Sequence, residues 1–189
     1  MEQVLQGKTI AVLVANGFDE HQMTEIQKAL LALGAMPKII STDNGVVNGW
    51  HGKSWGHYFP VDKHISEALG ADYDGLVVPG GARSAGKLSQ TAHTRRIIGA
   101  FVDAMKPAVV LDEGLSLLAM TPKVAKRQVA ATGETVAALE AHGAVVKAEE
   151  KLVIDRGLIT AYAVEDLPAL IETVTQVFTE TLAPQQQAA

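Results

Sequence analysis

Residues 107–119 read "PAVVLDEGLSLLA". Ala108 to Leu111 form a short unbroken apolar run, the pattern of a strand buried on both faces of a parallel sheet. Asp112 and Glu113 follow at once, then Gly114 and a helix-prone apolar stretch. The same order, apolar run then polar or glycine-rich loop then helix, recurs along the chain. "TIAVLVA" (9–15) leads into "DEHQMTEIQKALLALG", where Met23, Ile26, Leu30 and Leu33 share one helical face and Gly34 suits the C-terminal cap. "PKIIST" (37–42) and "GLVVPGG" (75–81) are further strands, and "TAHTRRIIGAFVDAM" (91–105) is a helix leading back to residue 107. A short strand "QVAAT", a helix "TVAALEAHG" and a hairpin "KLVIDRGLITA" turning at Asp155-Arg156-Gly157 come next. "EDLPALIETVTQVFTETL" is a closing helix that starts near Asp166, because Pro168 fits only a first turn.

This alternation predicts an α/β fold, a mostly parallel sheet covered by helices on both faces. Its active crevice is expected at the carboxyl ends of the strands. Three loops fall there: "NGFDEH", "PGGARSAG" and "DEGL". The intervening segment "DNGVVNGWHGKSWGHYFPVD" reads as a hairpin packed on the domain, or as an aromatic rim or subunit contact. Residues 1–182 are expected to form one domain, with 183–189 a flexible tail.

Composition narrows the function. The 189 residues include no cysteine, which removes disulfides, thiolate metal sites and cysteine nucleophiles. A formal charge of −5 disfavours nucleic acid as a partner. The basic pairs Arg95-Arg96 and Lys126-Arg127, and Arg83 and Lys87 in the glycine loop, read as solvated. No stretch approaches the ~20 apolar residues of a membrane helix, and the N-terminal segment lacks a basic lead, so a cytoplasmic protein is expected. "PGG" lacks the pattern and lysine of a phosphate loop, and no GxGxxG is present, so no cofactor is expected.

"ANGFDE", "GWHGKSWGHYFPVD", "DYDGLVVPGG", "KPAVVLDEGLSLLA" and "DRGLITAYAVEDLPAL" together resemble the PfpI branch of the DJ-1/PfpI superfamily, in order and spacing from about residue 8 to 180. The resemblance implies a flavodoxin-like three-layer sandwich, similar to class I glutamine amidotransferases, built into a homodimer or higher oligomer. Members are described as cysteine peptidases or amidases, glyoxalase- or deglycase-like enzymes, hydratases and stress proteins. It implies that the family's cysteine stands at Asp112, its histidine at Glu113, followed by the matching Gly114. The family's glutamate partner is carried onto Asp19, its third acid falls near Gly86, Gly80 and Gly81 contribute oxyanion-hole amides, and Gly114 joins them as a ligand-binding position. Cysteine-dependent activity is then ruled out by composition.

Several readings of the acids remain. Asp19 and Asp112, facing one another, would share a proton and could act as general acid and base on a small carbonyl or amide substrate. Asp19, Glu20, His21, Asp112 and Glu113 have the donor types of a divalent cation site, but without HxH or HxxxH spacing, and no metal is expected. Asp112 or Glu113 could instead cap the following helix. The leading expectation is a catalytically degenerate member that binds a small ligand or acts as an oligomeric stress-type protein. His51 and His57 lie close to the crevice, while His93 and His142 read as exposed.

Overall fold

Apolar runs at the predicted places build a seven-stranded sheet in the computed structural model, which describes residues 3–183. Its strands are β1 (Thr9–Leu13), β3 (Met36–Ser41), β6 (Lys63–His64), β7 (Gly75–Val78), β8 (Ala108–Leu111), β11 (Leu152–Asp155) and β12 (Leu158–Ala161). Their spatial order is β11-β12-β8-β7-β1-β3-β6, and every pairing is parallel except β11 with β12. A second, three-stranded sheet holds β2 (Phe18–Asp19), β4 (Val46–His51) and β5 (Ser54–Pro60). The pair β9 (Gln128–Val129) and β10 (Val145–Val146) stands apart.

Side chains alternate across the main sheet and feed two cores. Ile10 and Val12 of β1 pack with Met23, Ile26 and Leu30 of α1 (Glu20–Ala32) and with Leu170, Val174 and Phe178 of α5 (Leu167–Leu182). Ala11 and Leu13 point the other way, to Leu88 of α2 (Ala82–Leu88), Ile97 and Phe101 of α3 (Ala92–Asp103) and Leu139 of α4 (Glu134–Ala141). The result is a mostly parallel sheet covered on both faces, as the alternation predicts, and a flavodoxin-like three-layer sandwich, as the resemblance implies.

The turns follow their residues. Gly34 sits at φ +89 after α1, and Arg156 and Gly157 have φ +45 and +84 in the β11–β12 turn, the left-handed pair a tight hairpin needs. Asp166 caps α5, its carboxylate accepting from Ala169 N at 3.0 Å, with Pro168 in the first turn.

Two expectations change. The segment Asp112–Met120 is a 3-10 helix, wound tightly against the end of β7, where a Cβ on Gly114 would lie 3.0 Å from Val78. Arg127 is not solvated: it is 4% exposed, and its Nε donates to Asp155 Oδ2 at 2.7 Å. Its other nitrogens donate to the carbonyls of Val102 (3.0 Å) and Asp155 (2.6 Å), so a buried fork replaces water. Of the expected tail, positions 184–189 lie outside the described residues.

Candidate functional site

The chain leaves β1 toward β3 on one side and later returns to place β7 on the other, so the strand order reverses between β1 and β7. Loops diverge at such a point and open a crevice at the strands' carboxyl ends. Here the three expected loops meet. Asp19 N donates to Gly80 O at 2.8 Å, and Gly81 N donates to Glu113 Oε2 at 2.8 Å.

Asp112 is the elbow of the site. Leu111 is extended, and Asp112 turns to φ +47, a conformation that Asp tolerates better than most residues. Its Oδ1 accepts from Ala163 N at 2.7 Å, and Ala163 is itself left-handed at φ +50. Its Oδ2 accepts from Gln22 Nε2 at 2.5 Å, while Gln22 Oε1 accepts from Gly80 N at 2.8 Å. Burial pushes the half-buried Asp112 carboxyl up, the bonds from Gln22 and Ala163 pull it down, and the charges of Glu113 and Asp19 leave it above its ordinary value.

Three expectations are corrected by this geometry. Asp19 acts on Asp112 through its charge and not through a shared hydrogen bond: it caps α1, its Oδ1 accepting from Gln22 N at 2.9 Å, and the side chain bonded to Asp112 is Gln22. Asp112 and Glu113 do not cap the helix that follows, because Leu111 holds the cap position and their oxygens face other loops. The amides of Gly80 and Gly81 face the crevice, but Gln22 and Glu113 already occupy them. Gln22 is the residue that sequence reasoning missed. Its signal is the spacing Asp19-x-x-Gln22, that of a capping box. Gly80 O takes the cap amide to which the Gln22 side chain would return in such a box, and Gln22 reaches forward instead.

A cavity of about 220 Å³ opens beside the elbow, lined by Asp112, Glu113, Leu115, Thr132, Thr135 and Tyr162. Among the described residues no group of three or more His, Asp or Glu side chains is placed to hold a metal ion, and no helix is long and apolar enough to cross a membrane.

The DJ-1/PfpI family model matches residues 8–176. The chain belongs to the DJ-1/PfpI family. General stress protein 18 of Bacillus subtilis is 30% identical to this family member over 166 residues, covering 86% of this chain and 93% of the relative. Protein/nucleic acid deglycase 2 of Escherichia coli is 26% identical over 162 residues, covering 86% and 92%. The crystal structure of a ThiJ/PfpI domain protein from Brachyspira murdochii shares the fold, with a TM-score of 0.78 at 19% identity over 93% of this chain and 98% of that one.

In this family member Asp19 ends β2, which pairs with β4 and so joins the β4–β5 hairpin to the start of α1. Glu20, 5% exposed, accepts from His57 N at 2.7 Å and meets His57 Nδ1 at 2.6 Å. Its carboxylate fills the space that side chains at Gly49 and Gly56 would need. Burial raises the Glu20 carboxyl, but the His57 side-chain and backbone bonds and the charges of His57 and His51 outweigh it and hold it below its usual value. Outside the hairpin, Arg83 and Lys87 are exposed as expected, yet each has a partner: the Arg83 guanidinium lies 4.1 Å from the Trp50 ring centre, and Lys87 pairs with Asp43. Glu20→Ala is expected to cost about 2 kcal/mol, the scale of hydrogen bonds to a charged acceptor. The sign follows from the lowered carboxyl: the contribution is complete above the unfolded value near ~4.3 and fades as pH falls through the folded one. Urea unfolding at pH 7 and pH 3 checks this, with the gap between native and variant closing in acid.

Proposed function

We propose that this DJ-1/PfpI-family protein has left thiolate chemistry and works by binding a small molecule at the Asp112 elbow, in a self-associated assembly. The observation that carries the reading is the occupation of both crevice amides by the protein's own side chains, Gln22 on Gly80 N and Glu113 on Gly81 N. Amides that would steady a developing oxyanion are already satisfied, so the electrostatic part of acyl-transfer catalysis is missing along with the nucleophile. Fold kinship alone does not supply a reaction. Self-association is supported by the outer strand of the hairpin: β5 has no Lys, Arg, Asp or Glu to protect its free edge, and Trp55 and Tyr58 are 52% and 70% exposed. The kinship with a general stress protein makes a stress-type role the natural setting.

The test is turnover of α-oxoaldehydes, amides and esters by purified protein and by Asp112→Ala. Equal background rates for both are expected, together with a dimer or larger species in sedimentation. Turnover that disappears in the variant would sink the binding reading and restore an enzyme built on Asp112.

A further inference from the structure

The elbow cavity has the polarity opposite to an anion site. Its two carboxylates stand on consecutive residues, and among the described residues no Lys or Arg lines it. Each Asp112 oxygen has one donor, from Gln22 or Ala163, and Glu113 receives one, from Gly81 N. Two ionised carboxylates offer roughly eight lone-pair positions, so most of their accepting capacity is still open. The upward push of the Glu113 charge on the Asp112 carboxyl reports the same uncompensated field. Thr132 and Thr135 add hydroxyls that can donate or accept. The Tyr162 hydroxyl is tied to Ala148 O at 3.1 Å, which fixes the ring at the cavity wall, and Leu115 contributes an apolar patch.

We propose that this cavity takes a small organic cation, a primary ammonium on a short apolar or hydroxylated stem. The proposal rests on the binding reading above and names its ligand class. An ammonium has three donors and no acceptor, so it fits two carboxylates and a hydroxyl without needing the amides that Gln22 and Glu113 have closed. Tyr162 lines the cavity and adds ring surface against which the stem can pack. The stem has room: about 220 Å³ is the space of roughly seven waters at ~30 Å³ each, enough for a ligand of about that many heavy atoms. A bare divalent ion is the poorer fit, since calcium asks for six or more oxygen ligands in a shell.

Four-carbon probes of matched shape decide the matter: butylamine, butyrate and butanol, titrated at pH 7.5 into the full chain and followed by calorimetry and amide NMR. Butylammonium is expected to bind and to move the amides of Asp112, Glu113 and Tyr162, while butyrate and butanol leave them in place. Glu113→Gln keeps an oxygen for Gly81 N and so keeps the fold, but it should weaken butylammonium about tenfold or more, the loss of a charge-assisted hydrogen bond. Equal binding of all three probes, or an unchanged affinity in Glu113→Gln, overturns the cation assignment and leaves the binding reading standing. Turnover of an α-oxoaldehyde at this site overturns both.

Discussion

Arg127→Ala is expected to lose about 3–5 kcal/mol, the cost of leaving one partner of a buried ion pair alone. For a chain of this size ~1 kcal/mol moves the midpoint by roughly 2–4 °C, so melting should fall on the order of 10 °C. The guanidinium is buried between α3 and the β11–β12 turn, and it holds the Asp155 carboxylate, Val102 O and Asp155 O at once. Removing it leaves a carboxylate of 11% exposure with, among the described residues, Arg156 and Gln128 N as its remaining partners. Burial raises the Asp155 carboxyl, and the bonds from Arg156 and Arg127, then Gln128 N, bring it below its ordinary value. Because the folded value is depressed, the pair's stabilisation is complete above ~3.9 and is lost as pH falls through the folded value. The variant's acid limb should therefore be flatter than the native one. Calorimetry from pH 3 to pH 7 measures both, and a loss under ~1 kcal/mol at neutral pH would show that the fork is open in solution.

The contrast between what the chain announces and what it conceals runs along a physical line. β7 and β8 are legible because a strand covered on both faces must be apolar throughout, and Val77, Val78, Val109 and Val110 are each 1% exposed or less. The β11–β12 turn is legible because Gly157 offers a left-handed step between two apolar runs, although the second left-handed step, at Arg156, carries no sequence signal. Even the place of the crevice follows from strand order. Gln22, by contrast, looks like any polar residue in the first turn of an amphipathic helix. It is 7% exposed only because three loops, distant in sequence, close over it. Arg127 reads as half of a basic surface pair until its fork is seen on Asp155. Gly49 and Gly56 look like loosening in a hairpin, whereas their missing side chains make the slot for Glu20. Carrying the family's acid onto Asp19 fails for a related reason: the cap and the crevice-facing residue of one helical turn are three positions apart, and only the hydrogen bonds say which is which.

Gln22→Glu is expected to create the acid pair that the native protein avoids. A glutamate here would keep one oxygen on Gly80 N and turn the other toward Asp112 Oδ2, where the native amide donates at 2.5 Å. Two carboxylates at that separation cannot both ionise, so the pair holds one proton and titrates in two coupled steps, the upper well above the free value. The folded form then keeps a proton that the unfolded chain releases near ~4.3. Stability consequently falls as pH rises, by about 1.4 kcal/mol per unit, until the upper step is passed. Urea unfolding should find the variant close to the native protein at pH 5 and about 2–4 kcal/mol below it at pH 8. Curves that stay parallel across this range would mean that residue 22 is not held against Asp112. The same variant bears on the cavity. The native amide favours the ionised form of Asp112 while adding no charge, which keeps an acceptor open toward a cation. Once the substituted carboxyl shares a proton with Asp112, the single negative charge is divided between Asp112 and a residue 22 that does not line the cavity, and butylammonium binding should weaken while stability at pH 5 is preserved.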